Sequence, residues 1–176
     1  MSAPSRTRRR LPSEIFDLPV EKMREGYYSD AYFVFTKQVL ERDAHHPRVL
    51  MQVFQRHHSV LGGMDEAIAV LRECSGRVGA DRAWQTGWND IIVHALHDGD
   101  EIEPWETVMT VEGDYSLFCH LETVYLGTLS RRTLIARVLG QMHELGLLMA
   151  ARDSGGVGAE EARAMLAEIT RPSHAD

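Results

Sequence analysis

The chain of 176 residues has only two cysteines, two lysines and no long apolar run. A membrane-spanning helix needs about 18 or more consecutive apolar residues, so none is expected. Cys74 and Cys119 stand far apart in apolar surroundings. Reduced core thiols explain them better than a disulfide framework, and the compartment expected is the cytoplasm. Basic residues are outnumbered, 19 Lys plus Arg against 26 Asp plus Glu, for a net charge of −7. That balance argues against nucleic acid as a principal partner, because phosphate backbones are held by clustered cations. Arg6, Arg8, Arg9 and Arg10 form the one basic run. No apolar segment follows them, so no secretory leader is expected, and residues 1–10 read as a flexible tail.

Several chemical signatures are missing too. There is no His-Glu-x-x-His, Cys-x-x-Cys, Gly-x-Ser-x-Gly or P-loop. Nine histidines invite a metal reading, but His45 and His46, and His57 and His58, are adjacent pairs. Neighbours on an extended chain point opposite ways, so no metal site is expected. Asp98, Asp100, Glu101, Glu103 and Glu106 crowd one turn, which reads as a solvated acidic turn.

What is present suits a packed α+β domain, with 44% apolar residues. Pro12 and Pro19 predict an extended arm over 11–19. Asp30 can cap a helix over 31–42, striped by Tyr32, Phe35, Val39 and Leu40. A dense apolar run predicts a strand over 49–54. After the break at Gly62 and Gly63, Ala67, Ile68 and Leu71 predict a helix over 65–74. Residues 75–87 read as a polar loop. A strand over 91–96, a turn at Asp98-Gly99, and a strand through Val108, Thr110 and Glu112 follow, with both faces of the last partly covered. Short strands turning at glycines predict a small, barrel-like β-sandwich. From Tyr115 the period becomes helical, with a further helix over 134–151, a flexible link over 155–158 and a short amphipathic helix over 159–169.

Three segments carry a resemblance. Gly26-Tyr27-Tyr28-Ser29-Asp30-Ala31-Tyr32-Phe33 resembles the opening of nicotinate and nicotinamide phosphoribosyltransferases, where a Thr/Ser-Asp-x-Tyr motif starts the first long helix. Residues 122–133, Glu-Thr-Val-Tyr-Leu-Gly-Thr-Leu-Ser-Arg-Arg-Thr, are similar to that family's helix leading to its barrel. The stretch from Asp98 to Gly113 is similar to a turn-and-strand block shared with quinolinate phosphoribosyltransferases. The likeness runs in unbroken order from about residue 11 to about residue 136.

It implies a type II phosphoribosyltransferase of the nicotinate branch. Such an enzyme joins a pyridine to the ribosyl group of phosphoribosyl pyrophosphate, with ATP and Mg²⁺ required by the complete enzyme. It also implies an N-terminal domain over 11–133 that completes a partner's active site across a dimer interface. The partner would be a second copy or a barrel-bearing relative. By this likeness Tyr32 stacks on the pyridine ring; its other reading is a core-facing helix residue. Asp30 orients the site or simply caps. Arg131 and Arg132, helped by Ser130 and Thr133, bind carboxylate or phosphate, or else decorate a solvated face.

The departure matters as much. Residues 134–176 offer helices only, and a (β/α) barrel needs about 200 residues or more. The expectation is an α+β domain without its catalytic barrel, inactive alone. Two rivals remain: a biotinyl or lipoyl carrier module, and a non-catalytic interaction protein that binds a full-length relative. The carrier needs a lysine on an exposed hairpin, and Lys22 and Lys37 both lie upstream of the sandwich.

Overall fold

The computed structural model describes residues 8–153 and Ala164, with side-chain surroundings for residues 8–143 and Ala164. The segments expected over 155–158 and 159–169 lie outside the described residues, apart from Ala164. The order is α1 (Val20–Arg24), α2 (Ala31–Arg42), β1 (Arg48–Phe54), β2 (Ser59–Val60), α3 (Met64–Cys74), β3 (Gly76–Val78), β4 (Trp84–Thr86), β5 (Ile91–Ala95), β6 (Glu101–Ile102), β7 (Thr107–Asp114) and α4 (Glu122–Asp153).

β7 is the middle of a three-stranded antiparallel sheet, flanked by β1 and β5. Gly113 faces Val49 on one side and Ile91 on the other. Val108, Met109 and Val111 of β7 are all buried. Because successive side chains alternate between faces, both faces of the strand are covered, as its sequence suggested. β2 pairs with β6 and β3 with β4, each as a two-stranded antiparallel ribbon. Every strand pairing among the described residues is antiparallel, so they contain no part of a parallel (β/α) barrel.

α3 is the hub of the core. Met64, Ala67, Val70, Leu71 and Cys74 are fully buried, and their spacing keeps one face inward for three turns. The helix packs against α1, α4 and the 3-10 turn at Ser13–Phe16. Its first turn is capped from a distance. The Asp98 carboxylate accepts from the backbone N–H groups of Met64 (2.7 Å) and Asp65 (3.0 Å). Asp98 thus satisfies two of the donors that a helix start leaves open. Gly99 completes that turn with φ +88°, the left-handed conformation that Asp-Gly favours. Asp100 accepts from the His97 N–H at 2.8 Å. Two members of the acidic turn are therefore structural acceptors rather than idle surface charge.

The arm is anchored. Arg10 donates to Asp65 (3.0 Å) and to the carbonyls of Ala95 and Leu96 (both 2.7 Å), while Arg8 pairs with Asp100. Residues 8–10 were expected in a flexible tail. They are held because one planar guanidinium can satisfy a carboxylate and two strand-end carbonyls at once. The extended arm also contains a 3-10 turn at Ser13–Phe16.

Two further expectations are corrected. The polar loop over 75–87 holds the β3–β4 ribbon, whose short polar strands show no alternation in sequence. Lys37 fixes it by donating to the Gly76 and Ser116 carbonyls at 2.7 Å each. The helices expected on either side of residue 134 are one helix, α4; Gly127 and Gly140 interrupt it at no point, each with open space where a Cβ would stand. Two 3-10 turns, Tyr115–Leu117 and Cys119–Leu121, precede it. Cys74 and Cys119 are free and buried, and burial pushes their thiols up to about 12 and about 11.

Candidate functional site

The loop before α2 and the start of α4 are tied together. The Ser29 hydroxyl donates to the His120 carbonyl. The Asp30 N–H donates to Thr123 Oγ1 at 3.1 Å, and the Thr123 hydroxyl donates to Asp30 Oδ2 at 3.0 Å. Asp30 holds the N-cap position of α2 with extended backbone angles, yet its side chain makes no capping bond. Its carboxylate instead takes the hydroxyl of the neighbouring helix. The expected cap is in this respect corrected: a nearby O–H donor outcompetes the helix's own amides.

Tyr32, in the first turn of α2, is 60% exposed, whereas Phe33 beside it is 8% exposed. The two rings stand 4.1 Å apart between centroids, so the buried phenylalanine supports the exposed tyrosine. Partial desolvation, then the charges of Asp30 and Glu122, push the Tyr32 hydroxyl above its ordinary range. The Tyr115 hydroxyl donates to Glu122 Oε2 at 3.1 Å. Desolvation raises the Glu122 carboxyl and that hydrogen bond partly offsets it. One end of the domain therefore presents a flat aromatic face beside two carboxylates. Tyr115, Glu122 and Thr123 were given no site role from sequence; the available signal was a hydroxyl and a carboxylate at the start of a long helix.

The two arginines lie elsewhere. Arg131 and Arg132 are mid-helix, not near a terminus. Eight residues of helix separate Thr123 from Arg131, about 12 Å at 1.5 Å per residue. Arg132 pairs with Glu66 through Nε (2.9 Å) and Nη2 (2.8 Å), and its side chain lies against Gly63. Arg131 is exposed, with no hydrogen bond or ion pair among the described residues. Thr133 is buried: its hydroxyl donates to the Gly62 carbonyl and accepts from the Gly62 N–H, both at 3.2 Å. Ser130 is exposed. Asp30 and Tyr32 thus come together, and the arginines do not join them within this chain.

A concavity of about 450 Å³ lies between His46, Arg48, Arg77, Asp90 and Asp114. Within it the His46 ring lies 2.9 Å from the Asp114 carboxylate, and Arg48 pairs with Glu112 at 2.9 Å. Among the described residues no group of three or more His, Cys, Asp or Glu is placed to hold a metal ion. No helix among them is long and apolar enough to cross a membrane.

Comparison with known proteins adds the following. A family model described as the quinolinate phosphoribosyl transferase N-terminal domain matches residues 30–133. Among solved structures, the chain is similar to NadC from Streptococcus pyogenes, with a TM-score of 0.52 and 15% identity over 77% of this chain and 44% of that one. It is also similar to the nicotinate-nucleotide pyrophosphorylases of Pyrococcus furiosus (TM-score 0.48, 28% identity, 65% of this chain, 27% of that one) and Francisella tularensis (0.45, 16%, 68%, 37%). The chain spans less than half the length of each. No curated protein matches it.

Proposed function

Because its residues 30–133 form the N-terminal domain of the quinolinate phosphoribosyl transferase family, the chain belongs to that family, and from that premise we propose that it serves pyridine phosphoribosyl transfer of the nicotinate type. The reaction forms a bond from the pyridine nitrogen to the ribosyl carbon as the bond from that carbon to pyrophosphate breaks. Positive charge develops on the ribosyl carbon and negative charge on the leaving group, so catalysis rests on positioning and on cationic stabilisation. The described residues offer no carboxylate cluster suited to Mg²⁺. We assign leaving-group chemistry to the barrel that the resemblance implies for the complete enzyme, and propose that these 176 residues alone are inactive.

Its own contribution is the exposed Tyr32 face. A flat π-surface suits an electron-poor pyridine ring, and such stacking adds about 0.5–1.5 kcal/mol beyond burial. Asp30, locked to Thr123, fixes the turn that presents the ring. Arg131, exposed on α4, is left for an anion in the assembled site, and Arg132 for holding α4 against α3. The observation that carries this reading is the family match to a domain whose motif tyrosine is exposed rather than packed in the core.

Co-expression with a barrel-bearing relative stripped of its own N-terminal domain tests it. Nicotinate, phosphoribosyl pyrophosphate, ATP and Mg²⁺ should yield mononucleotide only with both chains present. No product from the pair, or turnover by this chain alone, would overturn it. The carrier reading loses support because Lys37 is bonded to two carbonyls and to Glu41 (2.9 Å), with its side chain only 12% exposed.

A further inference from the structure

The concavity beside β3 holds two opposite charges that no described residue neutralises. Arg77 stands on β3, whose pairing with β4 sets it opposite Gln85. Asp90 ends a 3-10 turn, Trp88–Asp90, where its own N–H donates to the Gly87 carbonyl at 3.0 Å. Both line the same space, and neither side chain makes a hydrogen bond or ion pair among the described residues. Each is positioned by its own backbone element, so the two charges share a cavity without meeting.

The other charges there are committed. Asp114 accepts through Oδ1 from the Ser116 N–H (3.0 Å) and the Ser116 hydroxyl (2.8 Å), and its Oδ2 lies 2.9 Å from the His46 ring. Arg48 reaches Glu112 through both Nε and Nη2, each at 2.9 Å. One guanidinium and one carboxylate remain open. Arg77 is half-buried, where an unanswered charge costs more than in open water.

That pattern selects the ligand. A simple anion drawn to Arg77 would also face the carboxylates of Asp90 and Asp114, and a simple cation drawn to Asp90 would face Arg48 and Arg77. Like charges repel more strongly the closer they are brought. A molecule with one charge of each sign answers both open groups at once. An α-amino acid carries the two on one carbon. Its carboxylate matches the fork of a guanidinium, and its ammonium offers three donors to a carboxylate. The volume of about 450 Å³ suits a small molecule, whose sites run from about 300 to 1,000 Å³. Thr86 and the buried Leu117 complete the wall with one polar and one apolar surface for a side chain.

We infer that this concavity binds a free α-amino acid, with its carboxylate on Arg77 and its ammonium on Asp90. The ligand bridges the β3–β4 ribbon to the turn that leads into β5. Lys37 already ties that ribbon to α2 through the Gly76 carbonyl at 2.7 Å, so filling the concavity braces the ribbon from its other side. The inference goes beyond the phosphoribosyl-transfer reading and does not rest on it, since it needs neither barrel nor pyridine.

The thermal midpoint of the full chain, measured with each common α-amino acid alone at up to about 10 mM, tests it, because a ligand of the folded state raises the midpoint as its concentration passes Kd. At least one amino acid should raise it. The N-acetyl and amide derivatives of that amino acid, each lacking one charge, should not. Arg77→Gln and Asp90→Asn break no side-chain bond among the described residues. Each should keep the ligand-free midpoint and bind about tenfold or more weakly. No shift with any amino acid would overturn the inference. So would a derivative that shifts the midpoint as far as its parent, which marks a plain anion or cation site, or variants that bind as tightly as the unaltered chain. Product formation by the reconstituted pair bears only on the enzymatic reading.

Discussion

Replacing Gly63 by alanine should be among the most damaging single-methyl changes this domain can suffer. Gly63 sits at the N-cap of α3 with φ +86° and ψ 12°. A side-chain-bearing residue pays about 1–2 kcal/mol in that left-handed conformation. The added Cβ would also lie 2.7 Å from Arg132 Cγ, 2.8 Å from Arg132 Cβ and 3.1 Å from the Thr128 carbonyl oxygen. The arginine stem can swing, but its Cβ and the Thr128 carbonyl belong to a helix pinned by the Thr133–Gly62 bonds. Overpacking of this kind costs about 1–3 kcal/mol, so the total should fall near 2–5 kcal/mol. Gly62→Ala is the control. Gly62 has no left-handed angle, and its Cβ would meet the Arg132 carbonyl at 3.1 Å. It should show the contact cost without the backbone strain. Urea denaturation followed by tryptophan fluorescence measures both, with an unchanged m-value confirming that only stability moved. If Gly63→Ala loses under about 1 kcal/mol, or no more than Gly62→Ala, then α4 is not seated on the Gly62–Gly63 corner as described.

Tyr32→Ala should shift the thermal midpoint little, because the ring is 60% exposed, whereas Phe33→Ala beside it should cost about 3–5 kcal/mol. A large loss from Tyr32→Ala would return that residue to a packing role, and unchanged pyridine binding in the reconstituted pair would remove it from the site. His120 is 1% exposed, and burial, aided by the nearby Lys37 charge and only partly opposed by the Cys74 backbone, pulls its pKa down to about 3. The unfolded chain then binds a proton that the folded chain refuses between about pH 6.5 and 3. Stability should be full above that window and fall by about 1.4 kcal/mol per pH unit on descending through it. Denaturation curves at pH 6 and pH 4, with and without His120→Leu, isolate the effect; an equal slope in the variant would refute it.

Where apolar residues recur strongly, the sequence was a good guide. Ala31–Arg42 and the core of Met64–Cys74 are helices as their spacing indicated, and the runs at 49–54 and 91–96 are strands to within a residue. Failures fall where local pattern is weak and tertiary contact decides. Val20–Arg24 is too short to show a period. The β3–β4 ribbon exists because Lys37 holds Gly76 and because Arg24 lies 5.0 Å over the Trp84 ring, neither of which is a local signal. At the candidate site, the exposure of Tyr32 was open to either reading until Phe33 was seen to take the buried position. The Asp30–Thr123 clasp joins residues 93 apart, and no spacing rule reaches that far. Arg132 read as half of an anion-binding pair because adjacent arginines look alike in sequence. On a helix they diverge by about 100°, so one turns to Glu66 and the other to solvent.

The same rotation explains why residue 133 looks like a boundary although the backbone there is continuous. The apolar pattern does not stop at Thr133 but shifts around the helix, from the line of Tyr125 and Leu129 to that of Val138 and Met142. A pattern read as one stripe breaks at such a shift, and two helices seem to meet. Burial locates the change more faithfully: Thr133 is 3% exposed and Leu134 is 50% exposed, with no glycine or proline between them. One helix therefore packs on the domain by its first face, while its second is exposed among the described residues. That first face is tied, through the Gly62–Gly63 corner and the Thr123–Asp30 clasp, to the turn that presents Tyr32.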